Sequence, residues 1–231
     1  GQPEPPFYFA VMKQVNKEGP ALLKDLPVVQ EVSSAEQVKQ LLETAQIIDT
    51  RPASQFAKDH VKGTINIPFN KSFPNWAGWI VDYHRPVYLM TDPQQLEDIL
   101  KALRSVGIDN VPGYIDYAKV AETGELALET YGEVTPREIA KAVENSEVHV
   151  LDVRNLSERK EGHIPNSQHI MLGTLPKRLD EIAKGKPIVV QCRSGARSAI
   201  GVSILKANGF NEVLNLRGGI DLWQKEGFAV V

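Results

Sequence analysis

Val189-Val190-Gln191-Cys192-Arg193-Ser194-Gly195-Ala196-Arg197-Ser198 is the stretch on which the reading of this chain turns. The apolar run from Pro187 to Val190 has the length and bounds of a buried strand. A short polar loop follows, and Ser198-Ala199-Ile200-Gly201-Val202-Ser203-Ile204-Leu205 opens a helical pattern. Strand, tight loop and helix make the building unit of a parallel α/β sheet, in which ligands sit outside the carboxyl ends of the strands. Cys192 occupies that position and is the one cysteine among 231 residues.

The chemistry of the loop follows from its residue types. A thiol reacts as its thiolate. Amides at the start of the next helix carry partial positive charge. Arg193 and Arg197 add two full charges, and Gly195 and Ala196 let successive N–H groups turn inward as an anion nest. Such a loop favours an ionised sulfur and the anion that this sulfur becomes. The competing reading is a buried structural cysteine, since free cysteine is often core. A core cysteine is seldom flanked by Arg-Ser-Gly-Ala-Arg.

Outward from the loop, the chain repeats itself. Asp49 and Asp152 are 103 positions apart, as are Arg51 and Arg154, and His60 and His163. The strand ends Met90 and Gln191 differ by 101, and the helix stops Gly107 and Gly209 by 102. Each half alternates β and α elements over about 100 residues, which predicts an open, mainly parallel sheet with helices on both faces. In the first half, strands are expected at Gln46–Asp49, Pro86–Met90 and Val111–Ile115. A capping box from Ser33 to Glu36 starts a helix that runs to about Glu43, and a second helix spans Gln94–Val106. In the second half, Thr135-Pro136-Arg137-Glu138 repeats the box, with proline at the first helical position. Strands follow at His149–Leu151 and Glu212–Leu216, with a helix over Pro176–Ala183 and a closing helix from Gly218. Gly124 to Gly132 reads as the connection between the halves. Near the start, Tyr8, Val11, Met12 and Val15 share one face of a short helix that Gly19-Pro20 stops. A helix of that length is not stable alone and must dock on something.

Cys192-Arg-Ser-Gly-Ala-Arg197, with Asp-x-Arg and Gly-His-Ile-Pro-Asn upstream, resembles the active-site loop and signature segments of the rhodanese (sulfurtransferase) superfamily. The resemblance covers the chain from about residue 31 onward. It implies two tandem rhodanese-like domains: 1–30 a linker and docking helix, 31–123 an inactive domain, and 124–231 a catalytic one. It also implies that Cys192 takes sulfur from thiosulfate or a low-molecular-weight persulfide. The sulfur then passes to a thiol or cyanide through a cysteine persulfide, with no cofactor and no metal. Arg193, Ser194, Gly195, Ala196, Arg197 and Ser198 would bind the substrate. Asp152 and Arg154 read as an ion pair that fixes nearby loops. The segment before residue 20 is similar to the part that follows the metallo-β-lactamase-like domain in persulfide dioxygenase–rhodanese fusions, so such a domain is an expected partner.

Two other readings stand beside this one. Phosphatases and arsenate reductases of the same fold carry one more residue between cysteine and arginine, and the shorter ring suits sulfur better. A sulfur-carrying module serving a dioxygenase is the third. Thr91 falls where Cys192 falls in the other half, followed by Asp92 and Pro93, so the first half has no nucleophile and is expected to be structural. Trp76, Trp79 and Tyr83 read as core rather than as a ligand site. Glu158, Arg159, Lys160 and Glu161 read as a solvated face. Composition is 42% hydrophobic and 24% charged with a formal net charge of −3, which supports a packed core and argues against nucleic acid or membrane as partner. A lone reactive thiol suits a reducing compartment, with the cytoplasm as the default.

Overall fold

Residues 5–19 and 26–231 are described by a computed structural model, and contacts within the chain divide it into two compact units, Gly1–Glu129 and Thr130–Val231.

Unit 1 opens with α1 (Phe7–Glu18) and β1 (Gln30–Glu31), then α2 (Ala35–Thr44), β2 (Gln46–Asp49) and α3 (Ala53–Lys58). Next come β3 (His60–Val61), β4 (Ile65–Asn66), α4 (Phe73–Ile80), β5 (Val87–Met90) and α5 (Leu96–Arg104). It ends with β6 (Gly113–Ile115), α6 (Tyr117–Ala121) and β7 (Leu128–Glu129). Five strands pair in the order β1-β6-β5-β2-β4, all parallel. Ile47, Val38, Met90 and Ile115 belong to one buried cluster between sheet and helices. The helix expected from Ser33 is capped one residue later: Ser34 Oγ accepts the Gln37 N–H at 3.1 Å, and Glu36 faces outward. The two serines are adjacent, so the pattern admits either register; burial of Ala35 and Val38 selects the second. The expected Gln94–Val106 helix begins with a 3-10 turn at Pro93–Gln95, and α5 proper ends at Arg104.

The α1 helix docks on its own unit. Its partly covered residues are Tyr8, Val11, Met12 and Val15, the face expected from periodicity. Tyr8 lies on Gly78 of α4, where a Cβ would come within 2.5 Å of the ring, and Val11 lies on Gly107. Phe7 and Tyr83 rings meet at 5.4 Å. Tyr83 also donates its hydroxyl to the Val106 carbonyl at 2.7 Å, and Trp76 and Trp79 are half-buried on α4. The missing side chain at Gly78 is what lets the ring approach. Gly78→Val is therefore expected to lift α1 away while unit 1 stays folded. Limited proteolysis would show faster cleavage within residues 7–18 and an almost unchanged thermal midpoint.

Unit 2 repeats the plan with β8 (Gly132–Val134), α7 (Pro136–Glu144), β9 (His149–Asp152), α8 (Leu156–Lys160) and β10 (Gln168–His169). It continues with β11 (Ile188–Gln191), α9 (Ala196–Ala207), β12 (Val213–Leu216) and α10 (Gly219–Lys225). The parallel order is β8-β12-β11-β9-β10, the same as in unit 1. The second capping box forms as expected: the Thr135 N–H and hydroxyl both donate to Glu138 Oε2, at 2.7 and 2.8 Å. The expected helix over Pro176–Ala183 does not form. The segment closes instead in 3-10 turns at Leu172–Lys177 and Leu179–Glu181. Arg178, between the two turns, has φ −129° and ψ 23°, a non-helical conformation that breaks the run.

Central strands of both sheets are covered on both faces, as βαβ connections require. On β11, Val189 packs with Ile139, Val143, Ile220 and Trp223. Val190 faces the other way, against Gly201 of α9, where a Cβ would lie 3.2 Å from it. Each such fully buried aliphatic side chain contributes about 1.5–3 kcal/mol of transfer free energy.

The expected connection Gly124–Gly132 contains one short strand, β7, and ends on the first residue of another, β8. β7 pairs antiparallel with β3, tying Leu128 and Glu129 to unit 1, and β8 begins the second sheet. That pairing carries the division to Glu129, beyond the boundary expected at 123/124. Strands of two and three residues are too short for alternation to register.

Candidate functional site

The two sheets share a register that locates the site. Asp49 pairs with Met90 in unit 1, and Asp152 with Gln191 in unit 2. Thr91 and Cys192 are thus the first residues beyond equivalent strand ends. Thr91 is buried, the Asp92 carboxylate accepts the Gln94 N–H at 2.9 Å, and Pro93 supplies no amide. An anion would meet a carboxylate there and no nucleophile.

Cys192 is buried, at 1% exposure. Its sulfur accepts two hydrogen bonds, from the Gly195 N–H at 3.1 Å and from the Ser198 hydroxyl at 3.3 Å. Gly195 caps α9 with φ +106°, a left-handed conformation that turns its N–H inward and that residues with a Cβ rarely adopt. Ser198 follows in the first turn of α9, fully buried. Helix α9 is covered all round from Ser198 to Leu205, so the first turn, and the donors it carries, have little freedom to move.

The loop is braced from behind. The Ile220 and Asp221 N–H groups, at the start of α10, donate to the carbonyls of Cys192 and Arg193 at 2.9 and 3.1 Å. Asn215 on β12 donates from Nδ2 to the Gly195 carbonyl at 3.2 Å. These bonds fix three of the loop carbonyls in place, and the loop N–H that reaches the sulfur is that of Gly195.

The two loop arginines behave differently from one another. Arg197 is mostly covered, and both of its terminal nitrogens donate to Glu158, each at 2.7 Å. The guanidinium holds the Glu158 carboxyl at about 2, below its ordinary 4.5, with help from the Asn155 N–H. Arg197 is raised in turn, first by Glu158 and further by the nearby Cys192 sulfur. Arg193 instead points outward, 71% exposed, with Nε 3.3 Å from Asp221. It was expected to orient the donor; the structure places it on the surface beside a carboxylate. Ser194 and Ala196 complete the loop with exposed side chains.

Asp152 and Arg154 form a buried pair, with Nη2 at 2.7 Å and Nε at 3.0 Å from the carboxylate. Arg154 also reaches the carbonyls of Gly162 and Glu158, fixing the segment that carries Glu158. Unit 1 keeps this device: Arg51 binds Asp49 and the Asp59 carbonyl, and its guanidinium lies 3.3 Å over the Tyr117 ring.

The expected solvated face from Glu158 to Glu161 needs correction. Glu158 faces Arg197, and Arg159 binds Ser167 and the Asp152 carboxylate. A signal was available: Asn155-Leu-Ser-Glu158 is a capping box, which turns the third-position glutamate back toward its own helix start. Asn215, Gly219 and Asp221 carried no comparable signal, because their roles depend on α10 folding back over the loop.

The Glu158–Arg197 pair has a pH signature. Folding lowers the carboxyl below its ordinary value, so its contribution is fully present above pH 4.5 and fades as pH falls toward 2. The side chains are partly exposed, and solvent screening limits the contribution to about 1–2 kcal/mol. Glu158→Gln is expected to show that deficit in urea midpoints at pH 7, and the deficit is expected to shrink steadily below pH 4.5 and to vanish only as the buffer approaches pH 2.

The chain is similar in sequence to known proteins. A sulfurtransferase of Allochromatium vinosum is 36% identical over 91 residues, covering 39% of this chain and 85% of that protein. The thiosulfate sulfurtransferase GlpE of Actinobacillus pleuropneumoniae is 26% identical over 102 residues, covering 44% of this chain and 94% of that protein. A crystal structure of a rhodanese-related protein from Thermoplasma volcanium is 30% identical, covering 44% of this chain and 98% of that one at a TM-score of 0.41. No described helix is long and apolar enough to cross a membrane. The rhodanese-like domain family matches residues 34–115 and again 135–226, one stretch in each compact unit. With the repeated sheet order and the shared register, those two matches make the chain a tandem member of the rhodanese-like domain family.

Proposed function

We propose that unit 2 transfers sulfane sulfur through a persulfide on Cys192, taking it from thiosulfate or a low-molecular-weight persulfide and passing it to a thiol or cyanide. The observation that carries this reading is the pair of donors on a buried sulfur at a parallel strand end, with four residues separating Cys192 from Arg197. Similarity to sulfurtransferases supports it.

In the first step the Cys192 thiolate attacks the outer sulfur of the donor. The bond to the donor remainder breaks, and its electron pair leaves with that remainder: sulfite from thiosulfate, a thiolate from a persulfide. The loop amides then hold the terminal sulfur, and an acceptor thiolate or cyanide removes it in a second displacement. Ser198 and Gly195 act on the sulfur directly. Arg197, fixed by Glu158, sets the position of the first turn of α9 and adds positive charge beside the sulfur. No cofactor enters the scheme. The short ring around Cys192 favours sulfur over the bulkier phosphate or arsenate.

Intact-protein mass spectrometry after incubation with thiosulfate or a thiol persulfide tests the proposal. One added sulfur on Cys192, removed by cyanide, is the expected result; phosphatase turnover without sulfur loading would overturn it. The expected partner, a persulfide dioxygenase domain, would stand on the donor or acceptor side of this exchange. Transfer that begins only when such a domain is supplied would make the chain a sulfur-carrying module.

A further inference from the structure

We infer that Gln191 is a positioning residue for sulfur transfer: its amide, buried without a partner beneath α10, lets the first turn of that helix release and re-engage the cysteine loop during each transfer. The inference rests on the sulfur-transfer reading of Cys192 and adds what moves at that site.

The contrast between the two units carries it. Met90 and Gln191 hold the same register position, opposite Asp49 and Asp152. Met90 is packed among Ile47, Val38 and Ile115. In unit 2, strand alternation turns Gln191 to the face of Val189, where Ile139, Ile220 and Trp223 lie. Gln191 is fully buried, and neither its Nε2 nor its Oε1 has a hydrogen-bond partner. The Asp152 carboxylate beside it is taken up by Arg154 and Arg159. An apolar side chain fills this position in unit 1, so the fold does not require an amide there. A buried amide with no partner is costly, and the cost is relieved when water reaches it. Among the described residues, the other such atoms of unit 2 also border α10. They are Asn215 Oδ1, under the Gly195 turn, and Glu226 Oε2, at the C-cap of the helix. Helix α10 is thus the element whose displacement exposes unpartnered groups to water.

The transfer itself requires the movement. In the resting loop the Gly195 N–H and the Ser198 hydroxyl point at Sγ. When the Cys192 thiolate takes the outer sulfur of thiosulfate, sulfite leaves with the electron pair of the broken S–S bond. The negative charge of the loop then sits on the new terminal sulfur, about 2 Å beyond Sγ. Donors aimed at Sγ must be re-aimed. The carbonyls of Cys192 and Arg193 are held by the Ile220 and Asp221 N–H groups, so the loop adjusts only while the first turn of α10 lets go. The same bonds then re-form and fix the loop for the next step, which distinguishes a transient release from a lasting displacement of the helix.

The test joins hydrogen exchange of the full chain to rapid-quench intact mass spectrometry of thiosulfate loading on Cys192. In the unaltered chain the Ile220 and Asp221 amides are expected to exchange at least about 100-fold faster than those of Val189 and Val190, through an opening short of unfolding. Gln191→Met is expected to raise the thermal midpoint by at least about 2 °C. It is also expected to slow exchange at Ile220 and Asp221 at least about tenfold, and loading at least about fivefold. Adding Ile220→Ala to Gln191→Met loosens the packing of α10. The double variant is expected to regain the exchange and most of the loading while its midpoint falls. A purely structural role for Gln191 predicts the reverse, with loading lost further. A lower midpoint in Gln191→Met, unchanged exchange and loading in that variant, or equal protection of α10 and β11 in the unaltered chain overturns the inference and leaves sulfur transfer standing. Absence of loading in the unaltered chain, with a thiol persulfide as well as with thiosulfate, overturns the sulfur-transfer reading and this inference together.

Discussion

Cys192→Ala abolishes sulfur transfer and leaves the fold standing: sulfur loading is expected to fall at least about 1,000-fold, into the background of the assay. The effect is total because the chain contains no second thiol. Thr91, in the matching position of unit 1, has neither a reactive sulfur nor an anion-holding loop after it. Stability changes little, because the substitution removes one atom from a close-packed site. The Gly195 N–H and Ser198 hydroxyl lose a sulfur acceptor, which is a weak one. The stability loss is therefore held to about 2 kcal/mol or less. Circular dichroism and a urea melt check the fold while cyanide-coupled turnover and intact mass check the chemistry. Turnover persisting in Cys192→Ala would place the reaction elsewhere.

Gly219→Ala is expected to be nearly as damaging to activity, and for a different reason. Gly219 has φ +55°, and a Cβ there would lie 2.3 Å from the Cys192 carbonyl oxygen and 2.5 Å from that of Arg193. Both obstacles are backbone, so no rotamer change relieves the clash. Either α10 withdraws or the cysteine loop moves, and each breaks the bonds from the Ile220 and Asp221 N–H groups. The cost is about 4 kcal/mol or more, in the range reserved for backbone conflicts. Gly209→Ala is the matched control: φ is +84° but nothing stands within 4 Å of the added carbon. It is expected to cost about 1 kcal/mol and leave transfer intact. Thermal melts and persulfide loading of both variants separate a collision at the site from mere loss of a glycine. Equal behaviour of the two would show that α10 does not shape the loop.

The architecture was legible because it is written twice. Central strands such as Gln46–Asp49 and Val87–Met90 are apolar runs between clear stops, and the spacings of Asp49, Arg51 and His60 recur in Asp152, Arg154 and His163. Edge strands were not legible, since two residues at Gln30–Glu31 or Gln168–His169 form a strand only because a neighbour pairs with them. At the site, Cys192, Gly195 and Ser198 declared themselves through one contiguous loop. The two arginines did not. Arg193 and Arg197 look alike in sequence, and only the fold separates them, through α8 presenting Glu158 to one and α10 leaving the other beside Asp221 in solvent. Local composition identifies what a loop is able to do; contacts from distant segments decide which of its charges remain available.

The hold of α10 on the cysteine loop also imposes an order in time. A ribosome releases Cys192 more than twenty residues ahead of Ile220 and Asp221, the residues whose amides set the loop's carbonyls. Until that last helix emerges and folds back, the nascent thiol lacks the frame that aims hydrogen-bond donors at it. The cysteine loop thus gains its bracing late in synthesis, once α10 has folded back over it.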